Sequence, residues 1–251
     1  MIINHRYKFI FVKTKKTAGT SIEIALSAFC GKGDVITEIG RDDELIRQGL
    51  GFRGPQNHNV PFRFYGKKDW LKSAWTRIPK HFSQHSSGLF VRSNVEDAIW
   101  SSYFKFCFER NPYDKAVSRY YWSTKEPRPA LSDYLDSVPV DQLSNWYLYT
   151  INDQIAVDFV GCYESLEDDL TEVARLLRMP QIPELPKAKS HHRLDRRHYS
   201  AVIDSRARAR IELVCAKEIG TFNYSWQIPH DKISNSLGCS ENRGLESSCY
   251  A

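Results

Sequence analysis

Apolar and polar positions fall into short blocks along this chain. Residues 7–13, Tyr-Lys-Phe-Ile-Phe-Val-Lys, form an apolar run too brief for a helix and rich in β-formers, followed at once by a polar turn of small residues. That pattern predicts a buried strand. From Thr20 the period changes, with Ile22, Ala25, Leu26 and Phe29 spaced as one face of a helix. The same strand, loop, helix order returns at 103–122, where Asn111-Pro112 supplies an N-cap and a proline at the first helical position. A third strand is expected at 158–162 and a helix at about 165–178, on Leu166, Leu170, Val173, Ala174 and Leu177. A further helix is expected near 204–219, before the aromatic patch Phe222 to Trp226. Repeated alternation of this kind predicts an α/β fold with a central, mainly parallel sheet and helices on both faces.

Composition narrows the class. The chain has 251 residues, 41% hydrophobic and 26% charged, which suits a globular domain and excludes a disordered or fibrous protein. One domain is expected over 1–227, with a polar tail rich in Ser, Asn and Gly over 228–251. No apolar run approaches the ~20 residues of a membrane span, and the first residues lack a signal-peptide layout, so a cytoplasmic protein is the expectation. Six cysteines occur without a Cys-x-x-Cys pair, and Cys107 and Cys162 sit in apolar runs where buried free thiols are expected. No metal site is expected. The formal charge of +5 is too small for a nucleic-acid coat. It is also uneven: from Gly51 to Arg92 there are eight basic residues and one acidic one, so this connector carries +7 and the rest of the chain −2. The connector also holds Phe52, Phe62, Phe64, Tyr65, Trp70 and Trp75, and reads either as a basic surface over an aromatic mini-core or as an anion-attracting lid for an acceptor.

Two segments carry candidate chemistry. Lys13-Thr14-Lys15-Lys16-Thr17-Ala18-Gly19-Thr20-Ser21 joins the first predicted strand to its helix. Backbone N–H groups of a tight loop, the positive end of a helix and the Lys16 ammonium would converge there on an anion, with hydroxyls from Thr17, Thr20 and Ser21. An ordinary turn capped by Thr20 or Ser21 is the plainer alternative. A Walker loop would place its lysine after the second glycine, whereas Lys16 precedes Gly19. In the second segment, Arg110 stands at a strand end and Ser118 on the second turn of the next helix, so both can reach one phosphate. An ion pair of Arg110 with Glu109 or Asp114 is the alternative.

Together these segments resemble the nucleotide-binding signatures of the sulfotransferases that use 3′-phosphoadenosine 5′-phosphosulfate, in particular the carbohydrate-directed branch of sulfotransferase family 2. Lys15 to Ser21 is similar to the family's 5′-phosphosulfate loop, with Lys15 where proline is usual. Arg110 to Tyr120 looks like the 3′-phosphate signature, with Lys115 in place of its second arginine. The resemblance runs over roughly Lys8 to Trp226. It implies a P-loop-like three-layer domain with the donor at the carboxyl ends of the strands. It implies Lys16, Thr17, Ala18, Gly19, Thr20 and Ser21 at the 5′-phosphosulfate, and Arg110 and Ser118 at the 3′-phosphate. Ser190 and Arg193, in a late basic patch, are expected to close over the nucleotide.

Sulfuryl transfer to a hydroxyl needs in-line positioning, charge stabilisation and a base, and no metal. Lys16 is expected to stabilise charge on the leaving oxygens. His85 is the expected base, with His81 and then His58 behind it. The expected acceptor is a carbohydrate or another hydroxyl-bearing compound, neutral or anionic, and no nucleic-acid partner is expected. The rival readings are a phosphoryl-transfer enzyme using ATP and a non-catalytic nucleotide or polyanion-binding module.

Overall fold

The computed structural model describes residues 1–186 and 197–226. Five strands form the central sheet: β1 (Ile2–Asn4), β2 (Phe9–Phe11), β3 (Val35–Ile36), β4 (Phe104–Glu109) and, after a small hairpin of β5 (Thr150–Ile151) and β6 (Gln154–Ile155), β7 (Phe159–Cys162). Their order is β3-β1-β2-β4-β7. β2, β4 and β7 are parallel neighbours, in register Phe11 to Phe106 and Phe106 to Phe159. β1 runs antiparallel to both β2 and β3, so four strands point one way and β1 opposes them. The mainly parallel expectation holds for strand direction, while two of the four pairings are antiparallel.

The predicted strands lack polar alternation because both faces of the sheet are covered. Phe9, Phe11, Phe106 and Phe108 pack on one side with Ile22, Leu26, Leu170 and Val173. Ile10, Val12 and Cys107 pack on the other with Val60, Phe82, Val91 and Tyr149. Helices Gly19–Ser27 and Leu166–Leu176 follow β2 and β7. A third apolar cluster joins the helix Pro112–Ser123 to the helix Ser205–Val214 through Val117, Tyr120, Leu135 and Ile211.

Several expectations need correction. The helix expected at 204–219 is two helices, Ser205–Val214 and Ala216–Thr221, which meet at Cys215 with φ −104° and ψ 22°. Cys107 is a buried free thiol as expected, along with Cys30 and Cys215. Cys162 instead lies in a disulfide, which spacing alone does not specify. The connector, for which no elements are expected above, folds helices at Lys67–Thr76 and Gly88–Arg92. Among the described residues no helix is long and apolar enough to cross a membrane.

Candidate functional site

Parallel strands bring their carboxyl ends to one edge, and the two candidate segments meet there. The β2 and β4 backbones stay zipped past the strand ends: Val12 N–H donates to the Phe106 carbonyl at 2.9 Å, and the Thr14 hydroxyl donates to the Phe108 carbonyl. Lys16 and Ala18 then take left-handed backbone, φ 63° and 57°. Left-handed residues within a short loop turn successive N–H groups toward one side, as an anion-binding nest requires. Ala18 is the N-cap of the helix Gly19–Ser27 and has no side-chain cap. That removes the plainer reading of a turn capped by Thr20 or Ser21. At Gly19 a Cβ would lie 2.8 Å from Lys13 Cγ and 3.2 Å from the Thr14 carbonyl oxygen. The loop therefore closes on its own strand only because that side chain is missing.

Lys13 itself is structural. It is 2% exposed, pairs with Glu23 at 2.9 Å and donates to Gln84 Oε1 at 3.2 Å. Arg47 lies 3.6 Å and the Met1 α-amino nitrogen 3.0 Å from the same carboxylate. Burial alone would raise the Glu23 pKa; the surrounding cations outweigh it and hold the carboxyl below its usual range.

The second segment leans on the first. Arg110 Nη1 donates to the Lys16 carbonyl at 3.1 Å, and its guanidinium lies over the Tyr163 ring at 4.0 Å. Asn111 N–H donates to Glu164 Oε1 at 2.8 Å, which ties the end of β4 to the residues just after β7. The remaining prongs of Arg110 do not point to Ser118: Nε and Nη2 both bond Asp114 Oδ2, at 2.8 and 2.5 Å. The ion-pair alternative for Arg110 is thus the one formed, with Asp114 one turn on as its partner. Ser118 is half-buried on the helix Pro112–Ser123. Lys16 Nζ sits 4.8 Å above the Trp122 ring, one turn beyond Ser118, so Lys16 and Ser118 flank a common edge of that helix. Ser190 and Arg193 lie outside the described residues.

Of the three candidate histidines, His85 bonds the strand that leads into the loop. Its Nδ1 is 2.8 Å from the Lys13 carbonyl oxygen. A carbonyl only accepts, so a neutral His85 carries its proton on Nδ1 and leaves Nε2 as a bare lone pair. Burial, aided by the charge of Lys13, lowers its pKa to about 4, so the ring is neutral at pH 7. His81 Nδ1 contacts the Pro79 carbonyl at 2.9 Å, and His58 Nε2 lies 3.8 Å from Glu38. These two rings meet edge to face, with centroids 6.4 Å apart. His81 lines a cleft of about 370 Å³ with Asp69, Lys72, Ser73, Thr76 and Lys80.

Sequence reading missed the residue that joins the two segments. Asn145, 1% exposed, accepts from the Lys15 N–H at 3.0 Å, donates to the Lys15 carbonyl at 3.1 Å and donates to Glu109 Oε1 at 3.1 Å. Glu109 also pairs with Lys115 at 2.9 Å, and Lys115 lies 3.7 Å from Glu218. Burial opposes the Lys115 charge, yet Glu109 outweighs it and keeps this ammonium protonated above its usual range. Lys115 therefore acts beneath the site and not in it.

Comparison with known proteins points the same way. A model described as "Sulfotransferase family" matches residues 1–225. An uncharacterized protein of Archaeoglobus fulgidus is 35% identical over 97 residues, covering 36% of this chain and 81% of the relative. No solved structure matches.

Proposed function

The chain belongs to the sulfotransferase family, and from that premise we propose that it moves a sulfuryl group from 3′-phosphoadenosine 5′-phosphosulfate to a hydroxyl of a carbohydrate. The observation that carries this reading is the Arg110 to Lys16 contact at 3.1 Å across 94 residues of sequence. It puts the candidate 5′ loop and the candidate 3′ segment side by side, as one doubly phosphorylated nucleoside would need. Lys16 and the loop amides hold the 5′-phosphosulfate, through the charge of the ammonium and the dipole of the helix that follows. Arg110 and Ser118 take the 3′-phosphate, Arg110 exchanging Asp114 for phosphate oxygens that suit its fork. In this P-loop-like reading the donor sits at the carboxyl ends of β2 and β4.

His85 Nε2 takes the proton of the acceptor hydroxyl as its oxygen bonds to sulfur. The bond from sulfur to the bridging oxygen breaks, and adenosine 3′,5′-bisphosphate leaves with its new charge facing Lys16. A base with a pKa of about 4 is weak; the anionic donor beside the ring lifts it toward neutrality, since a nearby opposite charge favours the protonated form. The Lys13 carbonyl keeps the tautomer fixed throughout. The cleft lined by Lys72, Lys80, Ser73 and Thr76 supports a polar, anionic acceptor.

Two measurements test this. Adenosine 3′,5′-bisphosphate should raise the melting temperature well beyond ATP at equal concentration; an equal response removes the Arg110 and Ser118 roles and favours a phosphoryl-transfer enzyme. His85→Ala should keep the bisphosphate response and lower sulfuryl transfer about 10²–10⁴-fold. Nucleotide binding with no transfer to any glycan or phenol by the unsubstituted chain would leave only a binding module.

A further inference from the structure

The helix Lys67–Thr76 is built inside out. None of its ten residues is buried, although a helix this short needs tertiary packing to persist in water. Its polar side faces the protein, where Asp69, Lys72, Ser73 and Thr76 line the cleft with Lys80 and His81. Its apolar side faces away, except that Trp70 rests one side of its ring on Tyr65 at 5.1 Å. At ~100° per residue, Trp70, Leu71, Ala74 and Trp75 cover an arc of about 140°. Trp75 is 90% exposed, Leu71 73% and Trp70 51%, and Ile78 just past the helix end is 58% exposed. Phe62, stacked on Trp70 at 5.2 Å and 66% exposed, extends the same patch. Cations surround it: Lys67, Lys68 and Arg77 are exposed, while the single acidic residue, Asp69, is tied to Lys80 at 2.8 Å.

From this arrangement we propose that the helix Lys67–Thr76 is an interfacial anchor that lays Trp70, Leu71, Trp75 and Ile78 into an anionic lipid surface. Charge complementarity selects the occupant. A second copy of the chain would bring the same cations face to face, which is unfavourable. A glycan would use the tryptophan faces but gain nothing from Leu71 and Ile78, whereas aliphatic and indole side chains flanked by lysines suit the boundary between acyl chains and acidic headgroups. Docking there sets the cleft beside the bilayer surface, so acceptors presented from that surface reach it first. The proposal goes beyond the sulfotransfer reading and stands or falls separately from it.

The test is cosedimentation of the full chain with phosphatidylcholine vesicles, with or without about 30 mol% phosphatidylserine, at roughly 150 mM salt. The serine-lipid vesicles should capture the chain and shift its tryptophan emission to the blue. The exposed pair Leu71→Ser and Trp75→Ser should weaken capture at least about tenfold, and Lys67→Glu with Lys68→Glu should do so too. Both variants should keep the far-ultraviolet circular dichroism and the melting temperature of the unsubstituted chain, which certifies the fold whatever nucleotide the chain binds. The proposal is overturned if serine-lipid vesicles capture nothing, or if capture ignores the Leu71 and Trp75 changes and therefore reports net charge alone. It is equally overturned if light scattering shows a dimer that the Trp75 change dissolves, or if a glycan and not lipid protects Trp75 from quenching.

Discussion

Replacing Asn145 by Ala, with and without Lys15→Pro, tests how the first loop is held. Asn145 makes two bonds to the Lys15 backbone and one to the Glu109 carboxylate. A net ~1 kcal/mol for each neutral bond and ~1.5–3 for the charged one predicts a loss of about 3.5–5 kcal/mol for Asn145→Ala. For a chain of this size that is roughly 7–20 °C of melting temperature. Lys15→Pro alone removes the N–H that Asn145 accepts, leaves Oδ1 buried without that donor, and should cost about 1–3 kcal/mol. In the Asn145→Ala background the same proline removes an N–H that has already lost its acceptor, and it stiffens the unfolded chain, so it should be neutral or restore about 0.4–1 kcal/mol. The surface contact of Lys15 Nζ with Asp141, 3.5 Å apart with Asp141 54% exposed, is lost in both backgrounds and cancels in the cycle. Urea unfolding of the four proteins measures the coupling. Additivity within about 0.5 kcal/mol would refute the clamp.

Gly19→Ala should cost about 1–3 kcal/mol in the same urea assay and shrink the bisphosphate thermal shift, because the Cβ meets Lys13, which Glu23 holds in place at 2.9 Å. Lys115→Met leaves the Glu109 and Glu218 carboxyls buried without their cation and should lose about 3–5 kcal/mol; a variant that keeps its stability but loses bisphosphate binding would instead place Lys115 at the nucleotide. Stability should fall with acid because His85 titrates at about 4 in the fold and near 6.5 when unfolded. The unfolded chain then binds the extra proton between those values, so the contribution is intact above pH ~6.5 and lost toward pH ~4, at most about 3 kcal/mol. The difference between wild-type and His85→Gln unfolding profiles isolates the histidine, and identical profiles would contradict its burial.

What was legible in the sequence was whatever lies contiguous along it. Strands β2, β4 and β7 showed as apolar runs because both sheet faces are covered, and the helix Pro112–Ser123 was announced by Asn111-Pro112, where Asn111 Oδ1 accepts the Tyr113 N–H at 3.0 Å. β1 and β3, three and two residues long, are too short to display a period. The outward face of Lys67–Thr76 was hidden for another reason, since hydrophobic spacing finds an apolar face without telling which way it points. The site divides along the same line. Its two candidate segments are local motifs, but what sets them in place joins residues far apart: Asn145 to Lys15 across 130 residues and His85 to Lys13 across 72. The departure at Lys15 shows how the two levels meet. Where a proline would stiffen the backbone covalently, this chain has Lys15, whose N–H is bound by Asn145. The constraint on the loop is therefore a remote one, and nothing within the motif itself announces it.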